Sequence, residues 1–369
     1  MRYRVRHRTS YAYARPVHES FNEIRLQPMA CAEQTPLDFE LAIEPPATVI
    51  AFRDYYGNAV HDFGVPYLHE RLEIVATSDV VTHAGENEPL AGPAAGEPDA
   101  SCPLSELAAD EAVADELAEF LGPSYYVPLD DATVGIAREL VATAVGESAL
   151  AFLQRASGDV KARLTYRVGA TTVETSVAEA LEGGSGVCQD FAHVLVSLCR
   201  HAGMPARYVS GYLGSVPQAT ASHAWAEAFV PPYGWIGIDP TAGRVCTGAY
   251  VKVGVGRDYA DVSVLRGTYQ GRVGAELEVH VESEAVDASD TIEQVRSGSG
   301  THAGPLVATQ NLGAMRQFRR GRFLRQSMGG MTQTMGSDEW LPPRRQRAVE
   351  DEVPMQQPRQ QQQGAREER

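Results

Sequence analysis

The chain has 369 residues, of which 43 % are hydrophobic, so it is long enough for more than one folded core and too apolar for wholesale disorder. Its 48 acidic and 32 basic side chains give a formal net charge of −16, which disfavours nucleic acid and anionic membranes as partners. Its apolar runs stay short of the roughly 18 residues of a membrane span, and its first eight residues lack the apolar core of a secretory signal, so we expect a cytoplasmic protein.

Residues 1–82 are predicted to form an all-β domain. Apolar and polar side chains alternate over 1–8, 37–44 and 70–81, which is typical of half-buried strands, and the architecture that we expect is sandwich-like. The first strand carries a row of arginines at Arg2, Arg4, Arg6 and Arg8. This row is either a nucleic-acid surface or a solvated strand face beside an acidic body, and the second interpretation is favoured.

The rest of the chain contains several segments that differ in composition and in hydrophobic periodicity. Gly, Pro, Ala and Glu over 83–101 indicate a linker, and 102–157 has a helical pattern that leads into the next unit. Helix and strand patterns mix over 158–283, where an alternating stretch near 277–282 is predicted as the last strand. Because 284–369 is rich in Ser, Gly, Gln and Arg, it is predicted to be a disordered tail.

A glycine-rich loop at 183–186 precedes an amphipathic helix pattern that starts near Cys188 and stops at Gly203. A helix N-terminus carries unpaired N–H groups and about half a positive charge, which favour thiolate over thiol and could receive an oxyanion. Cys188 is therefore a candidate nucleophile, with a buried structural cysteine as the alternative. Asp190 is expected to cap or charge the first helical turn.

The remaining cysteines give no second site. No CxxC pair exists, so a disulfide framework and a structural zinc site are both disfavoured. Cys199 lies about three turns beyond Cys188 and is predicted to be core. No histidine-bearing strand motif lies near Cys31, Cys102 or Cys246, which are predicted to be structural.

Residues 222–239 are predicted to form a β-hairpin with its turn at 231–234. If Val230 pairs with Gly234, Asp239 lies opposite Trp225, one diagonal step from His223 on the same face. A slip of one residue would separate the two side chains. The assumed register fits a carboxylate that orients an imidazole, which in turn faces a thiol.

Several neighbouring residues keep two interpretations. Tyr166 is either a second oxyanion donor or a core tyrosine, and the core position is favoured. Trp225 and Trp235 either line a cleft or pack within the strands. His193 and His201 are expected on the helix surface or behind the site.

The chain resembles the bacterial transglutaminase-like family in several ordered motifs. In the second half of the sequence the matching stretches are 186–193, 203–212, 222–225, 237–241 and 255–262. In the N-terminal domain the matching marks are Tyr11, 21–23 and 25–28. The family often has basic residues just ahead of the nucleophile, whereas this chain has Glu, Gly, Gly and Ser at 182–185, so its substrate contacts are expected to differ.

The resemblance implies an α+β protein with an N-terminal β domain, a papain-like catalytic core and a Cys188–His223–Asp239 triad. Cys188 would attack an amide carbonyl to form a thioester, His223 would move the proton, and Asp239 would fix the imidazole tautomer. With water as acceptor, the protein would be a peptidase or amidase on peptide-like substrates.

Two alternatives stay open, a protein-glutamine transamidase and a non-catalytic peptide-binding module. The mechanism requires no metal or organic cofactor. The family also implies a peptide or protein substrate and an ATP-grasp-type ligase as a partner.

Overall fold

The computed structural model describes residues 1–94, 96–214, 222–271 and 273–286, together with the backbone of 322–325. The strands in these residues are β1 (Arg2–Ile24), β2 (Gln34–Glu44), β3 (Val49–Arg53), β4 (Ala59–Val65), β5 (His69–Thr82), β6 (Thr165–Tyr166), β7 (Ser185–Gly186), β8 (Ala206–Leu213), β9 (His223–Val230), β10 (Gly234–Asp239), β11 (Arg244–Val245), β12 (Tyr250–Gly256), β13 (Leu265–Gln270), β14 (Ala275–Ala285) and β15 (Arg322–Arg325). The helices are α1 (Leu104–Ala108), α2 (Glu111–Glu116), α3 (Asp131–Ala142), α4 (Ala149–Arg163), α5 (Val177–Gly183), α6 (Cys188–His201) and α7 (Tyr259–Val262), with a 3-10 turn at Ala118–Phe120.

The long strand β1 organises the N-terminal domain because it takes part in two antiparallel pairings in succession. Its first half lies between β5 and β14, and its second half lies between β4 and β13. The pairing with β5 shifts between Ala12 and Val17, where the strand passes from one pairing to the next. β2 extends the sheet beside β5, and β3 extends it beside β4. The result is the curled, sandwich-like β domain that the sequence predicts.

The arginine row on β1 is paired with acids on the neighbouring strands. Arg2 and Arg4 lie 2.8 and 3.1 Å from the Asp79 carboxylate. Arg8 lies 3.0 Å from the Glu73 carboxylate. These pairs engage the row with acidic side chains, in agreement with the favoured interpretation.

The predicted last strand lies in the N-terminal sheet and not in the catalytic core. β14 pairs with β1 from Tyr3 opposite Ala285 to Tyr13 opposite Ala275, and β13 also pairs with β1. Within the segment predicted as a disordered tail, β14 extends to Ala285 and β15 pairs with β13. The other residues of that predicted tail, 287–321 and 326–369, lie outside the described residues.

The core is a five-stranded antiparallel sheet in the order β11-β10-β9-β8-β12. One face packs on α6 and α4, and α3 packs against α6. The opposite face packs on the N-terminal domain and on the predicted linker, where the Leu90 N–H donates to the Cys246 carbonyl. This arrangement puts the N-terminus of α6 beside β9 and near both units.

Side-chain amides from the N-terminal domain pair with the outer edge of β12. Gln34 donates to the Lys252 carbonyl at 2.7 Å and accepts from the Lys252 N–H at 2.8 Å. Asn58 makes the equivalent two bonds with the Val255 backbone, both at 2.8 Å. Both amides are buried. They pair backbone groups at the edge of β12, where the Met29 N–H also donates to the Lys252 carbonyl, and they fix the domain on the core.

Among the described residues, every helix is too short or too polar to cross a membrane.

Candidate active site

Cys188 is the first residue of α6, as the sequence predicts, and its side chain is buried. Asp190 anchors this end of the helix, because its Oδ2 accepts from the Val187 N–H at 2.7 Å and from the Thr171 hydroxyl at 2.6 Å. A Cβ at Gly186 would lie 2.6 Å from the same oxygen, so the approach of the loop requires glycine there. The predicted capping role of Asp190 is confirmed.

The β9–β10 hairpin has the register that the sequence analysis assumed. Gly234 pairs with Val230, and the ladder runs to Ile238 opposite Ala226. Asp239 follows in the next position, and its Oδ2 lies 2.8 Å from His223 Nε2. The hairpin turn therefore brings these two predicted site residues into direct contact.

Asp239 is held by more than the imidazole. Its Oδ2 also accepts from the Tyr250 hydroxyl at 2.9 Å, while Oδ1 accepts from the Thr241 and Ala242 N–H groups at 2.8 and 3.2 Å. Burial by itself would raise the pKa of Asp239, but these bonds and the neighbouring imidazole bring the pKa below its ordinary value. The carboxylate is thus fixed in position and charged.

His223 joins the thiol to the carboxylate. Because its Nε2 faces Asp239, its Nδ1 is the atom left to meet Cys188, and the two side chains are hydrogen-bonded. Burial opposes the charged imidazole, yet the bonds to Asp239 and Cys188 outweigh burial and raise the pKa of His223 to about 10. The structure thus brings all three predicted site residues together in one hydrogen-bonded row.

The other four cysteines lie in different surroundings. Burial raises the pKa of Cys31 to about 11 and that of Cys199 to about 12, and it raises the pKa values of Cys102 and Cys246 as well. These thiols are therefore held in the neutral form at physiological pH.

Tyr166 differs from the favoured expectation, because it is not a core tyrosine. Its side chain is 45 % exposed, and β6 runs parallel to β7 with Tyr166 opposite Gly186, two residues ahead of Cys188. Partial burial, together with the charges of Cys188 and Asp239, raises the pKa of Tyr166 to about 12. The hydroxyl is therefore a neutral donor near the candidate nucleophile.

The two tryptophans pack within the strands. Trp225 is buried against Tyr250, with ring centroids 5.3 Å apart. Trp235 contacts Phe229 and lies under the Arg207 guanidinium at 4.0 Å. Both tryptophans therefore fit the strand-packing interpretation.

The two histidines of α6 form hydrogen bonds outside the candidate triad. His193 is buried, and its Nε2 accepts from the Tyr259 N–H at 3.2 Å, while His201 Nε2 lies 3.0 Å from the Thr133 hydroxyl. The sequence does not indicate Tyr250 as a partner of Asp239, since no spacing rule links β12 to the hairpin. The described residues hold no cluster of three His, Cys, Asp or Glu side chains suited to a metal ion.

Comparison with known proteins agrees with this geometry. Residues 3–81 match the bacterial transglutaminase-like N-terminal region, and residues 135–240 match the transglutaminase-like superfamily. An uncharacterized protein of Mycobacterium leprae is 35 % identical over 288 residues, which cover 76 % of this chain and 98 % of that protein.

Two further relatives bear on the core. A structure from Cytophaga hutchinsonii, provisionally named a cysteine protease, has a TM-score of 0.60 at 22 % identity and covers 78 % of this chain and 91 % of its own. A protein-glutamine gamma-glutamyltransferase of Pseudomonas aeruginosa is 40 % identical over 67 residues, which are 15 % of this chain and 10 % of that protein. The chain belongs to the transglutaminase-like superfamily, a family of cysteine-dependent enzymes, and carries its bacterial N-terminal region.

Proposed function

We propose that the protein is a cysteine peptidase or amidase that acts on peptide-like substrates through a Cys188–His223–Asp239 triad. The observation that carries the proposal is the hydrogen-bonded row in which one imidazole contacts both the thiol and a fixed carboxylate. This is the arrangement that nucleophilic acyl transfer needs, since the base must reach the thiol and must itself be oriented.

The reaction would run in two halves. In the first, His223 Nδ1 takes the thiol proton, the Cys188 sulfur bonds to the amide carbonyl carbon, and the C–N bond breaks as the leaving amine receives that proton. In the second, water attacks the thioester carbonyl, the C–S bond breaks, and a proton from the water returns to the site through His223. Asp239 stabilises the imidazolium in both halves and keeps Nδ1 directed at the sulfur.

The negative charge on the carbonyl oxygen needs donors in both halves. The N-terminus of α6 supplies backbone N–H groups beside Cys188. We propose Tyr166 as the second donor, because its neutral hydroxyl belongs to a half-exposed side chain on the strand that pairs with Ser185 and Gly186.

A transamidase is the second candidate. The local similarity to a protein-glutamine gamma-glutamyltransferase favours it, and the same thioester would then be attacked by a primary amine instead of water. A binding module of the same fold is a weaker alternative, because it has no use for an oriented and protonatable His223. An ATP-grasp-type ligase, whose peptide product would be the substrate, is our proposal for a partner.

A peptide mixture incubated with and without a labelled primary amine tests these candidates by mass spectrometry. We expect hydrolysed peptides with the native protein and none with Cys188→Ser. Incorporation of the amine in preference to hydrolysis would support the transamidase. Turnover that survives in Cys188→Ser would overturn the triad, and peptide binding without any turnover would support the binding module.

A further inference from the structure

Three buried polar atoms in or beside the core cluster that contains the candidate nucleophile have no hydrogen-bond partner among the residues that the structure describes. They are the Tyr208 hydroxyl, the Tyr11 hydroxyl and the Gln189 side-chain oxygen. Tyr208 is 0 % exposed, and Tyr11 and Gln189 are each 1 % exposed. An unpaired polar atom in an interior is less favourable for folding than an apolar side chain of the same shape. Stability alone therefore does not explain these side chains.

Two of the three atoms belong to the first turns of α6 and the strand beside it. Tyr208 packs in one core cluster with Cys188 and Ala192. Burial raises the pKa of Tyr208 most, and the charge of Cys188 raises it further. Gln189 precedes His193 by one helical turn, so both lie on the same side of α6. The His193 ring is 4.9 Å from the Tyr208 ring. Gln189 and Tyr208 thus lie on the same side of α6.

Tyr11 extends this region to the N-terminal domain. The Tyr259 ring lies 6.2 Å from the Tyr208 ring, and Tyr259 also interacts with Tyr11 on β1. Behind Cys188 the two domains therefore meet at a group of tyrosines, and each domain contributes tyrosines to it.

The groups around this region are uncharged or already engaged. Burial raises the pKa values of Tyr11 and Tyr208 far above the ordinary value and lowers the pKa of His193 to about 3. Asp190 and Asp258 also act on Tyr208, but Asp190 accepts from Val187 and Thr171, and Asp258 accepts from backbone N–H groups.

The nearby Arg200 guanidinium is engaged as well. It acts on the pKa of His193, and it donates to the backbone carbonyls of Ala206 and Arg257. Within the described part of the chain, a charged ligand would therefore lose its hydration without gaining a free counter-charge.

We propose that Gln189, Tyr208 and Tyr11 line a pocket that binds an uncharged hydrogen-bonding group of the substrate, a carboxamide or a hydroxyl, beside the bond that Cys188 attacks. The Gln189 oxygen accepts a hydrogen bond, and the phenol hydroxyls both donate and accept. A pocket built on such bonds rejects a ligand that lacks them, because its own polar atoms then stay unpaired. The role as a substrate pocket rests on the proposed function, whereas the preference for an uncharged polar group does not.

Alkylation of Cys188 by two reagents of similar size tests the pocket. Iodoacetamide carries an uncharged carboxamide and iodoacetate carries an anion, and each rate at about pH 7 is divided by the rate of the same reagent with free glutathione. We expect at least about a tenfold preference for iodoacetamide, the effect of roughly one hydrogen bond. Tyr208→Phe is expected to lower the iodoacetamide rate about tenfold, and Gln189→Met is expected to act in the same direction.

Tyr212→Phe is the matched control, because Tyr212 lies on the same strand and its hydroxyl has a partner, His7 Nδ1 at 2.9 Å. Loss of this partnered hydroxyl should lower the melting temperature and leave the reagent preference unchanged. Tyr208→Phe should leave the melting temperature unchanged or raise it, since it removes an unpaired group. This opposite pattern of stability and reactivity is not expected from a purely structural tyrosine.

The pocket is contradicted if Tyr208→Phe lowers the melting temperature as Tyr212→Phe does and leaves the preference unchanged. A thiol that neither reagent reaches, or one that prefers iodoacetate, contradicts it too. His223→Ala separates this outcome from failure of the proposed function. If labelling depends on His223 but not on Tyr208 or Gln189, the triad stands and the pocket fails. If the preference depends on Tyr208 while labelling ignores His223, the pocket stands and the triad fails.

Discussion

At the scale of single residues, the site depends on how completely Asp239 is bound. Four hydrogen bonds converge on its carboxylate, two of them from backbone N–H groups just after β10 and one from Tyr250. Such a carboxylate cannot turn away from His223 without losing several bonds at once. The imidazole orientation is therefore fixed before any substrate binds, which is the form of preorganisation that general-base catalysis uses.

Asp239→Asn is expected to reduce substrate turnover by about 10²- to 10⁴-fold. The amide would donate to His223 Nε2, which places the imidazole proton on Nδ1 and prevents that atom from accepting the thiol proton. Turnover in the peptide assay is the measurement. Asp79→Asn, which removes the partner of Arg2 and Arg4 far from the site, is the control and should leave turnover unchanged. Equal losses in the two variants would contradict the role of Asp239.

Tyr166→Phe is expected to lower kcat by about 10- to 10³-fold with little change in KM, because the hydroxyl would act on the oxyanion and not on the bound substrate. Exposure of this side chain predicts an unchanged melting temperature. The comparison of kcat and KM between the two proteins is the measurement. A rise in KM at constant kcat would instead assign Tyr166 to substrate binding.

At the scale of elements, the nucleophile helix and the hairpin could be predicted because local rules determine them. The glycine loop, the spacing of apolar residues and Gly203 set the limits of α6, and a turn at 231–234 sets the register that brings Asp239 to His223. Long-range pairing could not be predicted in this way. The strand near 277–282 has the same alternation whether it pairs with the core or with β1, and only the tertiary fold assigns it to β1.

The partly exposed position of Tyr166 could not be predicted for a similar reason. A two-residue strand such as β6 has no periodicity to show which way its side chains face, and its pairing with β7 is a long-range contact. Exposure of single side chains in short elements is a property of the assembled fold.

The Gln34 amide should be among the most important side chains for the attachment of the N-terminal domain. Gln34→Leu would leave the buried Lys252 N–H without its acceptor and would remove the bond from the amide to the Met29 carbonyl, which predicts a loss of about 2–4 kcal/mol in the free energy of unfolding. Urea denaturation measures this loss. Gln270→Leu, at an exposed position on β13, is the matched control and should change the value by less than about 0.5 kcal/mol. A loss in Gln34→Leu as small as the control would show that these bonds do not hold β12.

At the scale of the whole molecule, the interface between the two domains contains ionisable groups buried in one charge state. His7 contacts Tyr212 and Thr9 at 2.9 and 3.0 Å, and burial lowers its pKa to about 3. The pKa of His193 behind the site is lowered to about 3 in the same way. Both imidazoles are neutral in the native state and take up protons more readily in the unfolded chain.

This linkage predicts that acid weakens the fold well before the carboxylates titrate. The stabilising effect is complete above the unfolded histidine pKa of about 6.5 and is lost as the pH falls toward 3, at up to about 1.4 kcal/mol per pH unit for each histidine. Urea unfolding between about pH 7 and pH 4 measures the slope. His7→Gln should remove the contribution of one proton, up to about 1.4 kcal/mol per pH unit, from the slope of unfolding free energy against pH. A slope that is the same in both proteins would contradict the burial of a neutral His7.

The pH dependence of Cys188 alkylation by iodoacetamide tests the central claim, that a thiol and an imidazole act as a pair. Mass spectrometry would follow Cys188 beside Cys31, Cys102, Cys199 and Cys246, whose raised pKa values make them slow internal controls. In the native protein we predict fast and selective labelling of Cys188 that is nearly constant from about pH 6 to pH 8, and a loss of at least about tenfold at pH 6 in His223→Ala. A Cys188 rate that rises about tenfold per pH unit and is the same in both proteins would contradict the pair.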